Sequence, residues 1–349
     1  MTRLLRRALA AALLGVLALA FSPPALADPA PAPSPGDAPR ATFGVRPATE
    51  REPDRRSAFT YSATPGARLT DYLAVSNVGE APVTVRIYAG DAFNTPDGGF
   101  DLLASGATPV DVGAWTKPAQ DTVTVAPRSV QIVPFTLTIP ANATPGDHTG
   151  GIVAALTTDR TTSGGQKVAL EQRVGARIYL RVTGEVHPAL SIDGLTADYH
   201  GGLFSLGGDV TLSYTVHNTG NTRLAGTRQV RVTTPWGSTV DAPALPKLGE
   251  LLPGASIRMS TQVGGLPAAG RLTGTVRVEP APAPGHQDPA AAAAEASVAF
   301  AAVPWLPLAV AAVLLLTVLW LRWRRRRARA VRQAADGETR QEAEHAAAR

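Results

Sequence analysis

Between residues 41 and 280 the apolar side chains recur at every second position, and no stretch sustains a helical period. Val210, Leu212, Tyr214 and Val216 alternate with Thr211, Ser213, Thr215 and His217. That is the signature of a half-buried antiparallel strand. The same alternation occurs in Val83, Val85 and Ile87, in Ile178, Leu180 and Val182, in Val230 and Val232, and in Leu272, Val276 and Val278. Phe135, Leu137 and Ile139 have the opposite parity to Val130 and Ile132, so Pro134 is expected at a bulge or an edge. Many short strands parted by Gly, Pro and Asn turns have to bury one face each, which points to sandwiches.

A weak internal repeat indicates two of them. Leu73 to Ile87 (LAVSNVGEAPVTVRI) parallels Tyr214 to Val232 (YTVHNTGNTRLAGTRQVRV), each a strand, an Asn-x-Gly and a second strand. Asn77 and Asn218 tolerate a left-handed backbone, and Gly79 and Gly220 reach positive φ cheaply. Each copy is later followed by a Pro-led strand, at Pro127-Arg128-Ser129 and Pro253-Gly254-Ala255. The fold class expected is all-β: two tandem immunoglobulin-like β-sandwich domains, residues 41–184 and 185–280, plus one C-terminal transmembrane α-helix. Gly207-Gly208 and Gly201-Gly202 read as hairpin turns.

Both ends carry membrane signals. Residues 1–27 read as a signal peptide: Arg3, Arg6 and Arg7, an apolar run from Ala8 to Phe21, then Ala25-Leu26-Ala27. Residues 28–40 form a Pro/Ala linker, and 281–302 a second one. Val303 to Leu321 holds no charge and as a helix would span about 28 Å. Trp305 and Trp320 flank it, and Arg322, Arg324, Arg325, Arg326, Arg327 and Arg329 follow. The expected localisation is the cell membrane, single-pass type I, with the sandwiches extracellular and a basic tail, 322–349, in the cytoplasm. The tail is expected to fray into helix.

Charge then excludes nucleic acid. The net +5 is confined to the ends, because residues 28–300 hold 21 basic and 24 acidic side chains. The chain has no cysteine, which excludes disulfides, thiolate metal sites and lipid attachment. Its six histidines, His148, His187, His200, His217, His286 and His345, show no ligand spacing, and no nucleophile or phosphate motif occurs. No enzyme, cofactor or metal is expected. The densest polar cluster, Asp91 to Asp101, lacks EF-hand spacing. It reads as a turn in which Asn94 and Asp97 cap the chain and Gly98-Gly99 reverse it, in preference to a calcium loop. Trp115 reads equally as an exposed platform for a sugar face and as a core plug.

In order along the chain, FGVRPA (Phe43 to Ala48), PGARLTDYLAVSNVGEAPVTVRI, DAFNTPDGGFD, Trp115 and PRSVQIVPFTLTIPANATPGDHTGGIVAAL follow one another. This series resembles the peptidoglycan-binding domain (DUF916 type) of the bacterial WxL-interacting proteins. The last motif carries Pro145, Gly146, Asp147, Gly150 and Gly151. The resemblance implies a non-enzymatic surface protein whose first domain binds peptidoglycan and whose second meets a surface protein of WxL type. Asn94, Asp97, Trp115 and Asp147 are the glycan-binding candidates, and Gly79, Gly98, Gly150 and Gly151 the structural glycines. The alternative expectation is an extracytoplasmic chaperone-like assembly factor, since immunoglobulin-like domains can lend an edge strand to subunits. A hydrolase with an unrecognised site is the third reading.

Overall fold

The alternating runs form strands. Among the residues described by this computed structural model, 42–161, 166–202, 206–283 and 288–347, there are eighteen strands and two helices. The signal peptide and the first linker, residues 1–27 and 28–40, lie outside them. The first sandwich comprises β1 (Phe43–Ala48), β2 (Phe59–Ala63), β3 (Arg68–Asn77), β4 (Val83–Asn94), β5 (Phe100–Leu102), α1 (Val112–Trp115), β6 (Thr116–Pro118), β7 (Thr122–Val125), β8 (Ser129–Thr138), β9 (Gly146–Thr161) and β10 (Lys167–Val182). The second comprises β11 (Leu190–Gly201), β12 (Gly207–Asn218), β13 (Leu224–Thr233), β14 (Thr239–Asp241), β15 (Leu248–Leu251), β16 (Ser256–Pro267), β17 (Gly270–Pro282) and β18 (Ala294–Ala302). A helix, α2 (Trp305–Ala347), follows. The protein is therefore two immunoglobulin-like sandwiches and one long apolar helix.

In the first sandwich β1-β3-β8-β6 faces β2-β10-β9-β4-β5, with β7 also on β4. In the second, β11-β12-β16 faces β14-β13-β17-β18, with β15 on β13. Alternation places one residue in two inside. Phe59, Leu73, Ile87, Phe135, Leu137, Ile152 and Ile178 fill the first core, where Phe59 and Phe135 meet edge to face at 4.9 Å. Leu212, Tyr214, Val232, Leu251, Val263 and Val276 fill the second. Both sandwiches belong to one compact unit that begins at Phe43.

Three sequence expectations change. The β3–β8 register runs unbroken from Arg68–Thr138 to Asn77–Ser129, so Pro134 makes no bulge. The parity switch arises because Val133 takes the core position while Val130 stays 43% exposed. Of the two expected settings Pro134 takes the edge: it lies just past the Pro118–Phe135 pair, where the pairing of β6 with β8 ends. The segment 281–302 is not all linker: β18 pairs with β17 from Gly270–Ala302 to Val278–Ala294. Its alanines bury little area each, so the alternation is faint in the sequence. The tail is continuous with the apolar helix in α2.

The Asn-x-Gly repeat has a different role from a left-handed turn. Neither asparagine nor Gly79 nor Gly220 has positive φ. Both asparagines are 1% exposed. Asn77 donates to the carbonyls of Ala81 (2.8 Å) and Val125 (3.1 Å) and accepts from the N–H of Gly79 (2.9 Å). Asn218 does the same with Thr222 (2.7 Å), Leu251 (3.0 Å) and Gly220 (3.1 Å). Each side chain thus satisfies buried main-chain groups where a strand leaves the sheet. Of the other glycines, Gly98 has φ 87° in the β4–β5 turn. A side chain on Gly150 or Gly151 would strike the carbonyl of Gly90 or the side chain of Leu102.

The left-handed residues of the repeat lie further along the chain, just before β8 and β16. Gly254 has φ 72° and its equivalent in the first sandwich, Arg128, has φ 49°. Their N–H groups donate to Asn218 (3.0 Å) and Gly79 (3.2 Å). An L side chain there costs roughly 1–2 kcal/mol, and the exposed Arg128–Glu80 pair (2.8 Å) returns little of it. Arg128→Gly is therefore expected to stabilise the chain by about 0.5–1 kcal/mol after glycine's own entropy cost. Gly254→Ala, which meets no neighbouring atom, is expected to destabilise by about 1 kcal/mol. Denaturant unfolding of the two variants checks both signs.

Candidate functional site

β9 begins at the seam between the sandwiches, and its first residues are shaped for that seam. Gly146, with φ 123°, lies so close to the Asn221 carbonyl that any Cβ would clash with it. Asp147 follows, its carboxylate 2% exposed. It accepts from both Nε and Nη2 of Arg181 and from the N–H of Arg223 (2.8 Å). Arg181 also reaches Asp288 (2.7 Å). The hydrogen bonds it donates to Asp147 and Asp288 hold its guanidinium protonated far above its ordinary range. Arg223 pairs with Glu250 and lies 4.0 Å over the Tyr179 ring. Asn221 closes the seam: its amide donates to the carbonyls of Pro145 (3.0 Å) and Glu185 (2.9 Å). A bidentate Arg–carboxylate pair out of water, with backbone donors completing it, fixes geometry as well as charge.

The candidates named from the sequence mostly gather here, with their polar atoms already taken. Asn94 donates to the Glu250 carbonyl (2.8 Å) and accepts from the N–H of Leu252 (2.9 Å). Asp147 is buried as described. Trp115, half-buried, packs on the His148 ring at 4.9 Å. Asp97 stands apart in the β4–β5 turn, accepting from the Thr95 hydroxyl. Asp91 turns inward and accepts from the N–H groups of Val110 (2.6 Å), Asp111 (3.0 Å) and Gly113 (2.6 Å), anchoring α1. The acids of Asp91–Asp101 therefore point apart. Among the described residues no three His, Asp or Glu side chains are grouped to hold a metal.

His148 borders a cleft of about 340 Å³ at the seam, with Asp111, Thr144, Asn221, Leu252 and Pro253. Both ring nitrogens face acceptors: Nδ1 the Asp111 carboxylate (2.7 Å), Nε2 the Thr144 carbonyl (2.8 Å). Only the imidazolium satisfies both. Burial pushes the ring's pKa down, yet the Asp111 carboxylate, helped by Thr144 and Asp147, holds it above the ordinary 6.5. With both nitrogens engaged, His148 has none to offer a substrate proton.

The second feature is the far half of the β9–β10 hairpin. β10 pairs with β9 along its whole length, Lys167–Thr161 to Val182–Gly146. Its other flank pairs with β2 only from Ile178 to Val182. Among the described residues, Lys167 to Arg177 therefore present an open main-chain edge. β4 covers β9 only as far as Ala155, so the hairpin tip projects past the sheet. The core face of β10 continues into this region: Leu180 is 1% and Ile178 0% exposed, but Leu170 is 50% and Val168 45% exposed. Sequence reading credited the alternation only from Ile178 onward, although Val168, Leu170 and Val174 extend it. Arg181, Arg223 and Glu250, the ions of the seam, gave no local signal.

No family model matches the chain, and no curated protein does. Solved structures with a similar fold include the CupB2 chaperone of Pseudomonas aeruginosa: 11% identity, 70% of this chain, 97% of that one, TM-score 0.29. A second is a chain of the CsuC–CsuE chaperone–tip adhesion subunit pre-assembly complex of Acinetobacter baumannii: 11% identity, 63% and 90% covered, TM-score 0.32. A third belongs to the Salmonella enterica SafA pilin–SafB chaperone complex: 12% identity, 68% and 91% covered, TM-score 0.31. Similarity this distant reaches no further than the fold the strands already define.

The peptidoglycan reading is corrected. Its polar candidates Asn94 and Asp147 hold the two sandwiches together, with their polar atoms engaged there and not turned to sugar hydroxyls. Peptidoglycan is withdrawn as partner on the same grounds. The localisation as a single-pass surface protein is withdrawn as well. Of α2 itself, Trp305–Arg329 is long and apolar enough to cross a membrane.

The His148 geometry sets a pH dependence. A folded pKa above the unfolded one gives stability that is fully present below about 6.5 and is lost as pH rises through the folded value. The stability difference between the wild-type chain and His148→Gln is expected to be largest at about pH 5.5 and to shrink by about pH 9. Urea titrations at the two pH values check this, and a difference that grows with pH would contradict it.

Proposed function

We propose that this chain is a chaperone-like assembly factor that receives an extended segment of a client protein as an added strand along β10. The observation that carries the reading is the open edge from Lys167 to Arg177 with Val168, Leu170 and Val174 on one face. Unpaired strand edges invite pairing, and folded proteins commonly blunt them with charge, proline or a bulge. On this edge the β9–β10 register is continuous, there is no proline, and the core face is apolar at Val168, Leu170, Val174 and Ala176, with Gln172 between them. A client strand would satisfy the free N–H and C=O groups, while alternate apolar side chains would extend the sandwich core beyond its own end. The buried seam at Asp147 holds the root of β9 rigidly, so the hairpin offers a preformed template. Preorganisation lowers the entropy lost on binding.

The test is binding of a short fluorescent peptide of alternating valine and threonine to the full-length chain in detergent, read by anisotropy. Leu170→Asp is expected to weaken binding by about tenfold or more, since a charge would be driven into the apolar face. Val78→Asp, at a 63% exposed valine outside the strands, is the control and is expected to bind as wild type. Equal affinity of Leu170→Asp and wild type would remove the reading.

A further inference from the structure

The open edge has a symmetry of its own. It runs from Lys167 to Arg177, and its midpoint is Gln172. Two copies of one strand can pair antiparallel about a two-fold axis normal to the sheet, so that opposed side chains share a face. Placing the axis at the midpoint uses the whole edge. Gln172 then faces Gln172 of the second copy, Leu170 faces Val174, and Val168 faces Ala176. Among the odd-numbered positions Glu171 stands opposite Arg173 and Lys167 opposite Arg177, each twice by symmetry, so the attraction at the centre is offset by like charges at the ends. Opposed unlike charges and apolar pairs are the favourable cross-strand combinations.

The neighbouring registers lose these pairings. An axis at Glu171 sets two carboxylates against each other, and an axis at Arg173 sets two guanidinium groups together, each destabilising when directly opposed. An axis at Val174 would require Leu170 to pair with Ile178, whose flank β2 already occupies. The edge thus favours one register by length and by apolar matching. Arg173 also reaches back to Asp101 (3.6 Å) and the Leu102 carbonyl (3.3 Å), which fixes its guanidinium on the outer face.

We propose that, without a client, two copies of this chain pair antiparallel along β10 with Gln172 on the two-fold axis. The pair covers Leu170 and Val168 and completes the main-chain hydrogen bonds of both edges, so it is the client-free state of the edge proposed above to receive clients. It rests on that reading only in sharing the edge. Client binding then has to displace the second copy.

The absence of cysteine in the chain allows a direct test. Opposed residues of an antiparallel pair lie about 4.5–5.5 Å apart at Cα, within disulfide reach. Mild oxidation of full-length Gln172→Cys in detergent is expected to give a disulfide dimer on a non-reducing gel, in at least about fivefold excess over Leu170→Cys. In the second variant the two cysteines are offset by four positions, about 13 Å, beyond bridging distance. Adding Val174→Cys to Leu170→Cys is expected to restore the dimer, and excess valine–threonine peptide to suppress it. Equal cross-linking of Gln172→Cys and Leu170→Cys, or none in either, would overturn the pairing. If the peptide still binds in that case, the client reading survives it; if the peptide fails as well, both fall.

Discussion

A strand has two hydrogen-bonding flanks, and β10 fills one along its full length and the other only from Ile178 to Val182. That imbalance is the constraint on which the functional account depends. Main-chain N–H and C=O groups buried without partners are costly, and along an edge they are met by water or by another chain. On most edges water suffices because the side chains beside it are polar. Here half-exposed Leu170 and Val168 lie beside it, on the face that further along holds Ile178 and Leu180 in the core. The strand is built as core and is left partly uncovered.

An open hairpin is useful as a template only if its base does not move. The seam supplies that base through charge in place of apolar area. Asp147 accepts from Nε and Nη2 of Arg181 and from the main-chain N–H of Arg223, and Arg181 in turn donates to Asp288. Breaking one member of such a buried set leaves a charge without compensation, which is why these sets behave as rigid joints. His148, the next residue of β9, adds a ring whose two nitrogens are held by the Asp111 carboxylate and the Thr144 carbonyl. The second sandwich thereby acts on the first through the segment Pro145–Asp147, the same segment that starts β9.

Much of the fold was legible in the sequence, and the parts that were not share a cause. Alternation marks which face of a strand is buried, so the two sandwiches could be read from Val83–Ile87 or Val210–Val216 alone. It does not mark which flank of a strand has a neighbour, because pairing is a non-local property. The open edge of β10 was therefore invisible, although its Val168-x-Leu170 pattern stood in plain view. The Asn-x-Gly repeat was found but assigned to turns: asparagine favours turns and also buries well when its amide caps carbonyls, and only burial distinguishes the two. Asn94 and Asp147 drew notice as polar residues in loops, as ligand-binding groups do. Their partners, Glu250, Arg181 and Arg223, lie far along the chain, so the internal use of these groups had no local sign. β18 was read as linker because alanine alternation carries little apolar contrast.

Amide hydrogen exchange resolved along β10, in chain dilute enough to be monomeric, tests the central claim most directly. Amides from Ile178 to Val182 are bonded on both sides and should exchange slowly, as should the amides of Lys167–Arg177 that face β9. The alternate amides of Lys167–Arg177 that face outward should exchange at rates near those of open strand edges, and should slow when the valine–threonine peptide is added. Protection of every amide from Lys167 to Val182 in the free monomer would contradict the account, because the edge would then already have its partner within the chain.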